Sequence, residues 1–191
     1  MPKTHVTLHH QGGVTMIEVL VALIIIVLGL LGLAGMQVRM QQAEFESYQR
    51  TQALILLYDM VDRINTHRAA ASCFAFTTGT GTPYLGVNAT ATPSCGAAVG
   101  ATDAIASMTE WNNLLQGAAE SGNAGAMVGA RGCVSLNGGI YTVAVAWQGT
   151  VDTSEPKMED GTTTINCANG AYGAETRRRA VATTFRMAVL D

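Results

Sequence analysis

Charge is what this sequence has least of. Only 13% of its 191 residues are Asp, Glu, Lys or Arg, and the formal net charge at pH 7 is −3. Nucleic acid as a main partner calls for a basic stripe or a high pI, which this balance does not provide. Histidine is nearly as scarce: His5, His9 and His10 crowd the start, and only His67 follows. With no Cys-x-x-Cys pair either, the clustered Cys and His ligands of a zinc site are missing. No G-x-S-x-G or H-E-x-x-H motif occurs, and Gly79-Thr80-Gly81-Thr82 does not continue into a dinucleotide-binding fingerprint. An enzyme is therefore not expected, and neither is a cofactor. Proline is absent between Thr15 and His67, so nothing there forces a helix to stop.

What is present is one long apolar run. Val19 to Met36 reads VLVALIIIVLGLLGLAGM, with no charge in it. A bilayer core needs about 20 apolar residues in a helix, so this stretch is long enough to span. An ordinary secretory signal puts its cleavage site after the apolar core. Here the order is inverted: the polar leader MPKTHVTLHHQGG closes on Gly12 and Gly13, and the apolar block follows intact. A cut after Gly13 leaves the block on the mature chain, removes Lys3 and no acid, and leaves 10 basic and 14 acidic residues, or −4. At the leading edge sits one acid, Glu18. A charge at the centre of a membrane helix costs about 2.5–3.5 kcal/mol on insertion scales, less near an end, so Glu18 asks for a partner. The amino group that a cut would create at Val14 lies one helical turn away.

Beyond Gln37 the chain turns amphipathic. Leu54, Leu57, Tyr58, Val61 and Ile64 share one face of a 3.6-residue period. Thr15 to His67 then predicts a single helix of roughly 80 Å. Gly29, Gly32 and Gly35 interrupt its apolar half, either as close-packing sites in a membrane or as places where the helix unwinds.

These features together resemble the class III signal of type IV prepilins and pseudopilins. A short basic leader ends in Gly, an acid stands five residues into the mature chain, and a long apolar helix follows. The run VTMIEVLVALIIIVLGLLGLAGMQ is similar to the start of PilV-type minor pilins. The resemblance implies that Gly13 precedes the prepilin peptidase cut, that Val14 is the N-methylated terminus, and that Glu18 is the assembly glutamate. Most family members carry Phe where this chain has Val14. Gly35 stands where many major pilins have a helix-loosening proline.

After Ala69 the pattern changes. Thr77 to Thr102 is rich in Gly and Thr and reads as a long loop. Asp103 is placed to cap a helix whose Ile105, Met108, Trp111, Leu114 and Leu115 face one way, with Trp111 as a core anchor. Ala126 to Leu136 reads as a strand leading into the hairpin turn Asn137-Gly138-Gly139. Ile140 to Trp147 alternates through Tyr141, Val143, Val145 and Trp147. A last strand alternates through Val181, Thr183, Phe185, Met187 and Val189. Gly149 to Ala174 reads as a loop whose Asp152, Glu155, Glu159 and Asp160 suggest a solvated acidic surface before a calcium site. Arg177, Arg178 and Arg179 read as a solvated strand entrance before a patch for DNA or anionic sugar.

Cys73, Cys95, Cys133 and Cys167 lie outside the apolar block. Their even number points to disulfides and an oxidising compartment such as a periplasm. Of three possible connectivities, Cys73–Cys95 and Cys133–Cys167 each close a loop-rich segment, and each adds roughly 3–4 kcal/mol by the loop-closure account.

The expected fold is α+β and pilin-like, a long N-terminal helix packed on a small antiparallel sheet. Its parts are a leader at 1–13, a membrane and polymerisation helix at 14–36, an amphipathic half at 37–68 and a globular head at 69–191. The leading functional expectation is a PilV-like minor pilin that primes or modulates type IV pilus assembly, with adhesion, twitching motility or DNA uptake downstream. Its implied partners are prepilin peptidase, other minor and major pilins, the inner membrane and the pilus assembly machinery. The implied location is the inner membrane, single-pass with the head in the periplasm, and then the pilus at the cell surface. A minor pseudopilin of type II secretion shares the same signal. A membrane-tethered periplasmic enzyme or receptor is the third alternative, and it requires an uncut N-terminus.

Overall fold

The computed structural model describes residues 13–117 and 127–188. The leader up to residue 12, Ala126 at the start of the expected strand, and Val189 at the end of the last one lie outside those residues. In chain order the elements are α1 (Met16–Thr66), a 3-10 segment (Arg68–Phe74), β1 (Leu85–Gly86), α2 (Ala101–Leu115), β2 (Arg131–Asn137), β3 (Ile140–Gln148), a 3-10 turn (Glu175–Arg177) and β4 (Arg178–Phe185). The long α1 and the four-stranded antiparallel sheet, in the order β1-β2-β3-β4, make this an α+β pilin-like layout. The chain divides into two compact units, Met1–Ala43 and Glu44–Asp191.

In the first unit α1 covers nothing. Every described residue up to Ala43 is exposed, including a window of mean hydropathy 3.0. The helix continues through Gly29, Gly32 and Gly35 without a break. A Cβ added at any of the three would meet no atom within 4 Å.

In the second unit the same helix buries Gln49, Ala53, Leu57, Met60 and Ile64. This stripe differs from the expected one: Leu54 is exposed and Tyr58 is 59% exposed. Helix α2 reaches α1 on the side carrying Leu56 and Arg63. Trp111 Nε1 donates to the Leu56 carbonyl at 2.9 Å. Arg63 bonds Asp59 on its own helix at 2.7 Å and Glu110 on α2 at 2.8 Å, and donates to the Ser107 carbonyl. The covered stripe is thereby rotated away from Leu54 and Tyr58. It also takes in Gln49, whose two amide atoms find no hydrogen-bond partner among the described residues.

Helix α2 starts one turn earlier than expected. Its N-cap is Gly100, and Asp103 sits in the first turn rather than at the cap. Ala104, Ser107, Met108, Trp111 and Leu115 are buried, with Ile105 and Leu114 half-buried. An acid at that position still suits the positive end of the helix dipole.

The β2–β3 hairpin closes at Asn137↔Ile140. Gly138 and Gly139 both have positive φ, +56° and +77°, as a two-residue turn matched to strand twist requires. Tyr141, Val143, Val145 and Trp147 join Val134 in the core with α1 and α2. On β4, Val181 and Phe185 pack against the same side, and the Phe185 ring stacks on Tyr141 with centroids 5.4 Å apart. The opposite face carries Cys133, Ala144, Ala146, Ala180 and Ala182. These small side chains let the 149–174 segment lie down on the sheet, where Ile165, Cys167, Ala168 and Tyr172 are buried.

Two features were missed by pattern reading. Strand β1 is only Leu85–Gly86, too short to show alternation, and it pairs with Gly132 and Arg131. The 149–174 segment has the irregular backbone expected of it but is no mere solvated loop.

Gly132 marks the tightest point of the core. A Cβ there would lie 1.9 Å from Trp111 Cη2 and 2.8 Å from Leu115 Cδ1. The indole is fully buried and held by its bond to Leu56, so it cannot swing aside. Gly132→Ala is expected to destabilise the head by about 1–3 kcal/mol or more through overpacking. Tryptophan-monitored unfolding of the full chain in nanodiscs checks this, and an unchanged midpoint would contradict it.

Candidate polymerisation segment and head surface

Gly13, Val14 and Thr15 precede α1 in non-helical backbone and are exposed. The Thr15 carbonyl accepts from the Glu18 N–H at 3.0 Å and the Val19 N–H at 3.3 Å, which makes Thr15 the residue that opens the helix. Glu18 therefore sits in the first turn, where free N–H groups and the helix dipole favour a carboxylate by about 0.3–1 kcal/mol at a water-exposed site. Thr15-Met16-Ile17-Glu18 also has the T-x-x-E spacing of a capping box. That signal is legible in the sequence alone. Glu18 is the sole ionisable side chain between Val14 and Val38.

Among the described residues no group of three His, Cys, Asp or Glu is placed to hold a metal ion. Two of the acids of the 149–174 segment, Asp152 and Asp160, are engaged separately. Asp152 pairs with Arg177 at 3.1 Å. Asp160 accepts from the N–H groups of Thr162 and Thr163, both at 2.8 Å, and from the Thr163 hydroxyl. Those donors hold its carboxyl down to about 2, the Thr163 hydroxyl foremost. A calcium site gains no support from this arrangement.

The arginine triplet is not a solvated strand entrance throughout. Arg178 is 1% exposed. It bonds Glu175 at 2.5 Å and donates to the carbonyls of Ile165 and Cys167, pinning the 149–174 segment to the start of β4. Arg179 donates to the carbonyls of Val151 and Thr176 and approaches Glu46 of α1 at 3.4 Å. Only Arg177 is well exposed, and it pairs with Asp152. A triplet engaged in this way fastens the 149–174 segment and α1 to the start of β4.

Two disulfides reinforce the head. Cys73–Cys95 ties the 3-10 segment after α1 to the loop before α2, with Cα atoms 5.1 Å apart. Cys133–Cys167 ties β2 to the covering segment, with Cα atoms 5.7 Å apart. Beside the latter, the Arg131 guanidinium lies over the rings of Tyr172, at 4.4 Å, and Tyr84, at 5.3 Å. Burial pushes the Tyr172 hydroxyl up to about 12, and it donates to the Gly129 carbonyl at 2.9 Å.

With this geometry in place, comparison with known proteins adds one finding. Residues 8–34 match the family model of the prokaryotic N-terminal methylation motif. This is the class III prepilin signal, which supports a type IV pilin-like chain; the motif implies processing by prepilin peptidase and assembly with other pilins, and suggests anchoring by the apolar helix. No curated protein and no solved structure matches the chain.

The contact between Glu46 and Thr150 carries a pH dependence. Burial alone would raise the Glu46 carboxyl, but two bonds from Thr150 and the charge of Arg179 outweigh it and leave the group below its ordinary 4.5. A lowered carboxyl stabilises the fold above its unfolded value, and that contribution is lost as pH falls through the folded value. Glu46→Gln is accordingly expected to be less stable than the wild type at neutral pH. The gap should close as pH drops below 4.5. Thermal melts across that range check this, and a gap that stays constant with pH would contradict it.

Proposed function

We propose that the chain is a minor pilin of the type IV pilus, PilV-like, cut between Gly13 and Val14 and N-methylated at Val14. The observation that carries the reading is the coincidence of three features: the methylation motif over residues 8–34, an apolar N-terminal stretch of α1 with none of its window buried, and a single acid in that helix's first turn. In this reading residues 1–13 are a leader, 14–36 the membrane and polymerisation helix, 37–68 its amphipathic half and 69–191 the head. The helix first holds the subunit in the inner membrane with the head in the periplasm. Extraction then exchanges lipid for helix–helix packing in a filament, where repeated heterologous contacts build an open helical assembly. Gly29, Gly32 and Gly35 supply close approach or local give in that packing.

Glu18 neutralises the amino group of a neighbouring subunit's Val14, an interaction that is strong where water is scarce. The head contacts other minor pilins and primes assembly or modulates adhesion and motility. A minor pseudopilin of type II secretion is the second reading, favoured by the same signal and helix. It differs in the machinery that engages the subunit.

The test separates processing from assembly. Glu18→Ala is expected to be cut normally, since the glycines and the apolar helix are intact, yet to be lost from the sheared-pilus fraction while accumulating in the membrane. Immunoblots of the two fractions read this directly. A Glu18→Ala subunit that enters filaments as well as the wild type would overturn the assigned role. Recovery of the wild type only with a secretion apparatus, and never with pili, would favour the second reading.

A further inference from the structure

The outer face of the sheet is built in rows that cross the strands. Arg131, Ala146 and Ala180 form one, and Cys133, Ala144 and Ala182 the next. Both lie beneath the 149–174 segment, whose buried residues pack on them. The third row is different. Ser135 of β2, Thr142 of β3 and Thr184 of β4 stand in register, and Thr184 is exposed while the other two are half-buried. No hydrogen bond joins these three hydroxyls to another group among the described residues, whereas Thr77, Thr78 and Thr163 all bond within the protein. Neighbouring strands are about 4.8 Å apart, so the row repeats at about the width of a pyranose ring.

This row is the floor of a groove of about 600 Å³. One wall is the segment from Asp160 to Asn166, and the other is Thr77 to Gly81. The walls are fastened to each other by the Asn166 side chain, which donates to the Gly79 carbonyl at 3.0 Å. Cys133–Cys167 and the Arg178 clamp hold the first wall to the sheet. The groove is thus formed before any ligand arrives, which spares a ligand the cost of ordering it. Its lining mixes hydroxyl and amide groups with apolar side chains, Met158, Ile140, Ile165, Ala144 and Ala182 among them. It holds no Lys, Arg or His, and its charged side chains are Glu159 and Asp160.

A groove of that chemistry repels anions and offers paired donors and acceptors to an uncharged, polyhydroxylated chain. We propose that it is a binding site for a neutral hexopyranose polysaccharide, laid across the strands over Ser135, Thr142 and Thr184. With no aromatic ring in the lining, sugar faces have nothing to stack on, and a single groove binds weakly, at roughly millimolar Kd. The inference goes beyond the pilin reading and does not depend on it, because the site lies wholly within the head.

The test uses the mature full-length chain in lipid nanodiscs, since glycoside detergents would compete. Cellohexaose, the N-acetylglucosamine hexamer and, as the anionic control, the galacturonic acid hexamer are titrated by ligand-observed NMR. Saturable binding of at least one neutral hexamer is expected, with the acidic hexamer weaker. Each hydroxyl removed costs about 3- to 10-fold, so the double variant Thr142→Val, Thr184→Val is expected to bind about tenfold or more weakly. Both substitutions keep the side-chain shape and suit a strand, and an unchanged melting midpoint verifies the fold. Absence of saturable binding by either neutral hexamer, equal binding of the acidic one, or full affinity in the folded double variant would each overturn the proposal. The outcome is read without assembly, so failure here leaves the pilin reading standing, and failure of Glu18-dependent assembly leaves the groove standing.

Discussion

Apolar surface that a chain does not cover itself must be covered by something else. In α1 that surface runs from Met16 to Val38, where every residue is exposed. Water is not a tolerable neighbour for so much of it, since transfer out of water is favourable by about 25 cal/mol per Å². Lipid and other apolar helices are the two environments that suit it, and a subunit that moves from one to the other needs little hydrophobic driving force between them. Specificity then falls to polar groups, and this stretch has one ionisable side chain to provide it. Glu18 stands at the helix end, where its burial costs least and where a new amino terminus would lie.

The head answers a different requirement. It gains no cover from the exposed apolar part of α1, so its own stability comes from within. Trp111 fills the space that Gly132 leaves open and reaches across to the α1 backbone. Arg63 ties α1 to α2 through Glu110 and Ser107. On the far side of the sheet, Cys133–Cys167 and Arg178 secure an irregular segment that would otherwise have little to hold it. The polar groups of that segment are satisfied by Arg178, by the turn around Asp160 and by the Lys157↔Thr164 bridge, which is how so irregular a backbone comes to lie on a sheet.

Much of this architecture was legible in the residues. The apolar run, the amphipathic α2, the Asn137-Gly138-Gly139 hairpin and the alternation of Ile140 to Trp147 are local signals, and local signals survive in a sequence. The even number of cysteines outside the apolar block pointed to disulfides, and two are present. What pattern reading missed depends on tertiary contact. The buried stripe of α1 differs from the expected one because contacts outside the helix decide which side is covered, and Leu54 and Tyr58 are apolar enough to have qualified. Asp103 reads as a cap from sequence because Gly100, the residue in that role, acts through its backbone conformation alone. The arginine triplet looked like a solvated charge run. Its partners, Glu46, Glu175 and the carbonyls of Ile165 and Cys167, come from three other parts of the chain. The Ser135–Thr142–Thr184 row exists only once the strands are in register.

The central claim is that the apolar helix is kept, cut free of its leader and used for assembly. Mass spectrometry of the mature N-terminus, in membrane and sheared-filament fractions, tests it most directly. A chain beginning at N-methylated Val14 in the sheared fraction is the expected result. A chain with its leader intact, or one cut after the apolar block, would contradict it.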